Sequence, residues 1–133
     1  MKKYSCVFAL PLTLLFSSNA FAIKPMTKEQ FLSDLVGKTQ VIERRGGQVI
    51  VHKYMDPNGE WASEGSNGGG RTGKWKFDKN GKVCEEWGEG WKCGYYVKEG
   101  DGVYSKVRFD NYKQIERRFI TSVDVLDGNP KDL

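Results

Sequence analysis

Cys84 and Cys93 are the residues of this 133-residue chain whose chemistry the sequence constrains most. Two cysteines with eight residues between them could form a disulfide, bind a metal ion or act as a redox pair. Redox pairs are typically spaced as C-x-x-C, and a zinc site would need two further ligands in a chain whose one histidine is His52. The spacing therefore favours a structural disulfide, and we expect no metal site and no cofactor.

The residues between the two cysteines support this interpretation, because a disulfide across a β-hairpin requires a particular turn. If Gly88-Glu89 is a two-residue turn, Cys84 faces Cys93 in a non-hydrogen-bonded pair, where opposed Cα atoms come closest. A glycine in the first turn position suits type II′. A three-residue turn would shift the register by one and send the two sulfurs to opposite faces. A disulfide that closes so short a loop contributes about 2–3 kcal/mol.

Glu85, Glu86 and Glu89 form a cluster of carboxylates in the same hairpin and are the next candidates for chemistry. Glu86 lies on the cysteine face of the predicted hairpin, which we take to be the interior of the fold. Arg117 alternates with apolar residues on a later strand, so it could also point inward. We hypothesise that Glu86 and Arg117 form a buried ion pair or a ligand anchor at one end of the interior. Solvent exposure of Glu86 near the hairpin tip is the alternative, since charged side chains are seldom fully buried.

Two other patterns are similar to functional motifs but lack essential parts. The stretch GGGRTGKW at 68–75 approaches a phosphate-binding loop, but Trp75 replaces the Ser or Thr that binds magnesium, and a predicted strand follows instead of a helix. We interpret it as a mobile glycine-rich loop between the third and fourth strands, which could act as a lid. His52 has no neighbouring metal or catalytic pattern, and no serine-hydrolase or zinc-protease motif occurs. The sequence therefore predicts no catalytic residue.

The first residues predict export. Lys2 and Lys3 precede an apolar run at 7–16, and Ala20 and Ala22 supply the A-x-A spacing of a signal peptidase site, so we expect a signal peptide at 1–22. The mature chain, 23–133, would be one periplasmic or secreted domain and a monomer, without a transmembrane segment. It keeps 19 Lys and Arg against 17 Asp and Glu. That balance is too weak to indicate a nucleic-acid partner.

The mature sequence predicts an all-β fold with one short N-terminal helix. Thr27 begins a capping-box pattern, apolar residues follow at helical spacing, and Gly37 lies where a helix would end, so we place the helix at about 28–36. Short runs rich in aromatic and β-branched residues follow, separated by turn residues, while 122–133 has no clear pattern and is expected to trail along the surface. The predicted strands lie at roughly 39–45, 48–55, 60–65, 73–78, 82–87, 91–98, 103–109 and 114–121.

About eight strands in series with short turns indicate an antiparallel up-and-down meander. Closure into a small lipocalin-like barrel would remove the exposed edges, and an open sheet or a sandwich is the alternative. Alternation along the strands selects candidates that line the interior or a ligand cavity, although aromatics at period two could equally form a filled core. These candidates are Trp75, Phe77, Glu86, Trp91, Tyr95, Phe109 and Arg117.

The segment 73–93, GKWKFDKNGKVCEEW…C, resembles a family of small exported proteobacterial proteins described as a domain of unknown function. In that family a G-x-W strand leads through an Asp/Asn-Gly turn to a cysteine, a tryptophan and a second cysteine. The resemblance implies an exported β-rich domain and no reaction. The order of helix, glycine and meander is also similar to lipocalins in outline. Gly37-Lys38-Thr39 lacks the tryptophan of the lipocalin G-x-W motif, so that similarity concerns barrel architecture alone.

These observations lead to three expectations of function. The first is a non-enzymatic binding protein of the bacterial envelope or extracellular space, with a small ligand that is apolar or derived from the envelope. The alternative is an inhibitor or interaction protein that docks on a protein partner through loops such as 65–73. The third is a carboxylate-based hydrolase, for which Glu86 would be the first residue to test.

Overall fold

A computed structural model describes residues 24–109 and 116–133, with the side chains of 109 and 116–120 left out. The predicted signal peptide at 1–22 therefore lies outside the described residues. The described chain forms one helix and nine strands. They are α1 Lys28–Asp34, β1 Lys38–Arg44, β2 Val49–Met55, β3 Glu60–Gly65, β4 Gly70–Phe77, β5 Val83–Glu86, β6 Trp91–Gly100, β7 Val103–Phe109, β8 Glu116–Ser122 and β9 Asp124–Asp127.

Helix α1 begins at the predicted capping box. The Thr27 hydroxyl accepts a hydrogen bond from the Gln30 backbone N–H at 3.1 Å, and the Gln30 side chain accepts one from the Thr27 N–H at 3.0 Å. The helix ends at Asp34, two residues before the predicted end. Gly37 adopts a φ of 75°, and its N–H donates to the Met55 carbonyl of β2 at 2.7 Å. The glycine thus turns the chain away from the helix and onto the sheet.

The strands pair antiparallel in sequence order from β8 through to β1, as the meander prediction requires. The expectation that 122–133 trails along the surface is wrong, because β9 pairs with β1 over four residue pairs. Strands β8 and β9 form the two edges of the sheet, yet Val123 alone separates them in the chain. The Val123 N–H donates to the Val41 carbonyl of β1 at 2.8 Å. The sheet must therefore curl until its edges approach each other.

The hydrogen-bonded order nevertheless begins at β8 and ends at β9, so the sheet is open in the part of the chain that the structure describes. The all-β prediction is confirmed, and closure into a barrel stays a prediction. The glycine-rich segment is also more regular than expected. Strand β4 starts at Gly70 instead of 73, and the Gly65 N–H donates to the Gly69 carbonyl across a short turn. The predicted loop at 65–73 is thus mostly a β-hairpin.

The two Asp-x-Asn-Gly segments form the predicted turns. Gly59 and Gly81 have φ values of 91° and 82°, and each donates its N–H at 3.1 Å to the carbonyl of the aspartate three residues earlier. That geometry is a type I turn completed by a left-handed glycine. These turns keep β2–β3 and β4–β5 adjacent and in register.

The hydrophobic core lies where α1 packs on the inner face of the curled sheet. Phe31 is its centre, with its ring 5.8 Å from Trp75, 5.5 Å from Phe77 and 5.0 Å from Tyr96. Trp75 and Phe77 therefore lie on the inner face, as alternation predicted. The buried members of this core are Phe31, Leu35, Met55, Trp61, Trp75, Val83, Tyr96 and Tyr104.

The β5–β6 hairpin has the predicted register and disulfide. Cys84 faces Cys93 with their Cα atoms 4.0 Å apart, and the sulfurs are bonded. The turn is two residues long, with a φ of 85° at Gly88, and the Trp87 N–H donates to the Gly90 carbonyl at 3.3 Å. The local geometry derived from the spacing of the cysteines is thus confirmed.

The face of this hairpin that points inward is the opposite of the one predicted. Glu85 and its partner Lys92 lie on the inner face, because the Glu85 carboxylate bonds side chains of strands that are not its neighbours. Glu86 and Trp91 lie on the other face, where Trp91 is 41% exposed. The interior assignment of Glu86, Trp91 and Tyr95 is therefore wrong. Charged residues appeared too costly to bury, but here opposite charges meet inside and compensate one another.

Candidate functional site

A cavity of about 540 Å³ occupies the end of the curled sheet away from α1. On β2, β3, β4 and β6 the inner residues nearer to α1 belong to the core, and the inner residues further along line the cavity. In β2, for example, Met55 packs in the core while Val49, Val51 and Lys53 line the cavity. We call this cavity the basic pocket. Its lining comprises Ile42, Arg44, Arg45, Val49, Val51, Lys53, Ser63, Gly65, Asn67, Gly69, Gly70, Arg71, Trp87 and Lys92.

Four exposed cationic side chains surround the opening of the basic pocket: Arg44, Arg45, Arg71 and Lys92. They come from β1, the β1–β2 turn, β4 and β6, so the curl of the sheet gathers them from distant parts of the sequence. The ion pairs found among the described side chains do not include any of the four. The described lining also contains no carboxylate. The opening therefore carries an excess of positive charge.

The wall of the basic pocket is partly apolar. Ile42, Val49 and Val51 present a continuous aliphatic surface from β1 and β2, since Ile42 and Val51 are direct partners in the register. Trp87 lies at the end of β5, and its ring centroid is 4.3 Å from that of Trp61. The pocket thus combines an aliphatic wall and an indole with a cationic opening.

A buried ion cluster of Lys53, Glu85 and Lys106 lies behind the basic pocket, and Lys53 is the member of the cluster that belongs to the described lining. Both lysine ammonium groups donate to the Glu85 carboxylate, one to each oxygen, and the Lys106 contact is 2.7 Å. The Tyr96 hydroxyl donates to the same carboxylate at 3.1 Å. Lys106 also donates to the Lys92 carbonyl at 3.1 Å. Glu85 is only 2% exposed, so solvent does not screen these contacts.

The buried surroundings and the charges of the cluster shift the pKa values of Glu85, Lys106 and Tyr96. Burial alone would raise the pKa of Glu85, but the charges of Lys53 and Lys106 and their hydrogen bonds lower it to about 2. Burial lowers the pKa of Lys106, and the neighbouring Glu85 carboxylate opposes that change. Burial and the same carboxylate raise the pKa of Tyr96. At neutral pH Glu85 is therefore ionised between the two lysine side chains.

Lys53 is also held by aromatic rings. Its ammonium nitrogen lies 5.1 Å from the ring centroids of both Trp61 and Trp87. These cation–π contacts add to the ion pair with Glu85 in holding the Lys53 side chain at a buried position. Gln40 is the partner of Lys53 in the β1–β2 register, and its side-chain amide is fully buried. That amide lowers the pKa of the nearby Tyr96 but makes no hydrogen bond of ordinary geometry.

Gly73 allows Trp61 to reach its place beneath the pocket. A Cβ atom on Gly73 would lie 2.6 Å from the Trp61 indole nitrogen and would also overlap the Glu86 carbonyl oxygen. Any side chain at this position would displace the indole or the neighbouring strand. The sequence pattern relates this glycine to a phosphate-binding loop. In the structure, its lack of a side chain instead allows the Trp61 indole to pack against the backbone.

The residues predicted to line the interior are distributed over three locations. Trp75 and Phe77 belong to the core beside α1 and do not line the basic pocket. Glu86, Trp91 and Tyr95 lie on the other face of the sheet, where lysines from β4 and from the β4–β5 turn lie over two of the rings. The Lys76 nitrogen is 4.2 Å from the Trp91 centroid and the Lys82 nitrogen 5.7 Å from that of Tyr95.

The structure does not describe the side chains of Phe109 and Arg117. Of the hypothesised Glu86–Arg117 pair, only the position of Glu86 is therefore known. Glu86 lies on the face away from the interior, which contradicts a pair or a ligand anchor inside the fold. The carboxylate that does lie inside is its neighbour, Glu85.

Sequence inspection overlooked the residues that make up the basic pocket, although one signal was available. Lys53 alternates with Val49, Val51 and Met55, so it shares their inward face at period two. A lysine in an otherwise apolar inner row indicates a buried partner of opposite charge. Nothing local to Glu85 or Lys106 indicated that either would be this partner.

The described residues bring together one set of metal-ligand atoms, from Asp78, Cys84 and Cys93. The two sulfurs are bonded to each other, and a metal-binding cysteine must be a thiolate. This set therefore does not fit a metal site. The basic pocket does not fit one either, because cations dominate its described lining.

Comparisons of the chain with family models, with curated proteins and with solved structures found no match. The resemblance of the segment 73–93 to an exported family therefore stays a prediction. Over the residues that the structure describes, no helix has the length and apolar character needed to cross a membrane.

Proposed function

We propose that this chain is a non-enzymatic binding protein that holds a small ligand in the basic pocket. The observation that carries the proposal is the division of the interior into two halves. The half beside α1 is filled by aromatic and aliphatic side chains, whereas the other half encloses about 540 Å³. That volume falls in the range of small-molecule sites, and small curled sheets commonly either fill their interior or admit one ligand.

The Cys84–Cys93 disulfide supports a periplasmic or extracellular location, because such bonds persist in oxidising compartments. The disulfide joins the two strands next to the pocket, and Lys92 and Trp87 of the same hairpin contribute to its lining. A covalent connection there would hold the opening in shape before a ligand arrives. Pre-organisation of this kind lowers the entropic cost of binding.

The two other functions receive less support. An inhibitor that inserts the segment 65–73 into a partner needs a protruding loop, but most of this segment belongs to β4 and a short turn. A hydrolase needs a carboxylate that can exchange protons near neutral pH. Glu85 is buried between two lysines with a pKa of about 2, and Glu86 lies away from the pocket.

Native mass spectrometry of protein taken from the exported fraction of its own cells tests the proposal. We expect a small molecule bound to the wild-type protein and none bound to the Val51→Trp variant, because the indole would project from the aliphatic wall into the cavity. His52→Trp is the matched control, because position 52 is next in the chain but points to the other face. Circular dichroism must show that both variants are folded. A stoichiometric protein partner without any small mass would contradict the proposal and favour the interaction protein.

A further inference from the structure

We infer that the ligand of the basic pocket is a single-chain amphiphile with an anionic head group. This inference rests on the proposed function and adds the chemical class of the ligand. Its first basis is the charge at the opening. Arg44, Arg71 and Lys92 line the pocket from three different strands, and the described lining offers them no carboxylate. Guanidinium groups bind carboxylate and phosphate through paired hydrogen bonds, so a ligand with such a group would find converging donors.

The second basis is the buried ion cluster, which reaches the pocket through Lys53. Lys53 and Lys106 are both buried, and among the described residues Glu85 is the one carboxylate within ion-pair distance of either. The cluster therefore places two lysines beside a single carboxylate. An anionic group of a ligand beside Lys53 would supply a second counter-charge. The cluster and the opening thus favour the same sign of ligand charge.

The third basis is the aliphatic wall. Ile42, Val49 and Val51 face the cavity with Trp87 at its edge, and a fully hydrated anion would gain nothing from this surface. An alkyl chain would replace water there at about 25 cal/mol for each Å² buried. The apolar body of the ligand lies against this wall, and the head group meets the cations of the opening. The sequence predicts a small ligand that is apolar or derived from the envelope, and this inference adds an anionic head group to that prediction.

Calorimetric titration of the full folded protein with four ten-carbon probes tests this assignment. The probes are decanoate, decyl phosphate, decanol and decylamine, each used below its aggregation concentration. We expect both anions to bind, with affinity that falls as salt is added, decanol to bind at least tenfold more weakly, and decylamine weakest of all. The preference between decanoate and decyl phosphate identifies the head group.

Arg71→Gln is the test variant and Lys74→Gln its control. Both substitutions remove one positive charge from β4, but position 71 lines the pocket and position 74 lies on the opposite face. Loss of a charge-assisted hydrogen bond should weaken binding of the anions about tenfold or more in Arg71→Gln. Lys74→Gln should bind them as the wild type does. Equal effects of the two substitutions would overturn the inference, since net charge alone would then explain binding.

The outcomes separate this inference from the proposed function. Binding of decanol or decylamine as tight as that of decanoate would overturn the anionic assignment and leave a ligand-binding pocket in place. Recovery of a neutral small molecule in the native mass spectrum would do the same. If the four probes fail to bind and the spectrum shows a protein partner instead, the anionic assignment and the proposed function fail together.

Discussion

Glu85→Gln should destabilise the fold strongly, because it removes the carboxylate that two buried lysines share. The new side-chain amide would present an N–H group to one ammonium where the native residue presents an anionic oxygen. Removing one partner of a buried ion pair typically costs about 3–5 kcal/mol. The pKa of Glu85 gives a similar figure. Its decrease from 4.5 to about 2 corresponds to about 3 kcal/mol of native-state stabilisation, at about 1.4 kcal/mol for each tenfold change in proton affinity.

The pH dependence of this effect has a definite sign. The pKa of Glu85 is lower in the folded state than in the unfolded state, so its contribution is complete above about pH 4.5 and disappears as the pH falls toward about 2. The wild-type advantage over Glu85→Gln should therefore shrink from about 3 kcal/mol to nearly zero over that interval. At neutral pH we expect the melting temperature to fall by roughly 10–20 °C.

Urea denaturation followed by tryptophan fluorescence, at several pH values, measures these differences. Glu86→Gln is the matched control, since it makes the same chemical change at the next residue, whose side chain lies on the other face of the sheet. We expect it to alter the free energy of unfolding by less than about 0.5 kcal/mol. Similar losses in the two variants, or a loss in Glu85→Gln that does not depend on pH between 5 and 2, would refute the buried ion cluster as a source of stability.

Three further predictions concern the elements that position the pocket. Gly73→Ala should lower the free energy of unfolding by about 1–3 kcal/mol, because the new methyl group overpacks the site. Gly100→Ala is the control, since its Cβ would enter open space and should change the free energy of unfolding little. Equal urea midpoints for the two variants would contradict this prediction. The double substitution Cys84→Ser/Cys93→Ser should lower the free energy of unfolding by about 2–3 kcal/mol. A reducing agent should lower the urea midpoint of the wild type but not that of this variant. Thr27→Ala should lower the free energy of unfolding, measured by the same urea denaturation, by about 1 kcal/mol. Thr27→Ser keeps the capping hydroxyl and should therefore retain most of the wild-type stability.

The candidate site was hard to find from the sequence for a physical reason. A buried lysine is stable only beside a compensating group, and for Lys53 that group is 32 residues away in the chain. Lys106 is a further 21 residues beyond Glu85. Period-two alternation shows which residues of a single strand share a face. It cannot show which charged residues of different strands meet across the interior. Lys53 in its apolar row is a visible clue, whereas nothing near Glu85 or Lys106 in the sequence distinguishes them from ordinary exposed residues.

The sequence by itself determined the local architecture. The capping box at Thr27, the turns that end at Gly59 and Gly81, and the register of Cys84 with Cys93 all follow from residues close to one another in the chain. Backbone preferences and period-two alternation act over a few residues, so they can be read without knowledge of the fold. The succession of antiparallel strands follows from the same short-range rules.

Only the tertiary structure decided which face of the β5–β6 hairpin is the interior and where the ninth strand belongs. Both depend on the curl of the sheet, which brings β9 to β1 and places Glu85 between Lys53 and Lys106. Hydrophobicity favoured the cysteine and tryptophan face, but the other face brings Val83 and Tyr96 into the core, and Glu85 on that face is compensated by two lysines. That compensation is a property of contacts between strands distant in the chain, and no single segment encodes it.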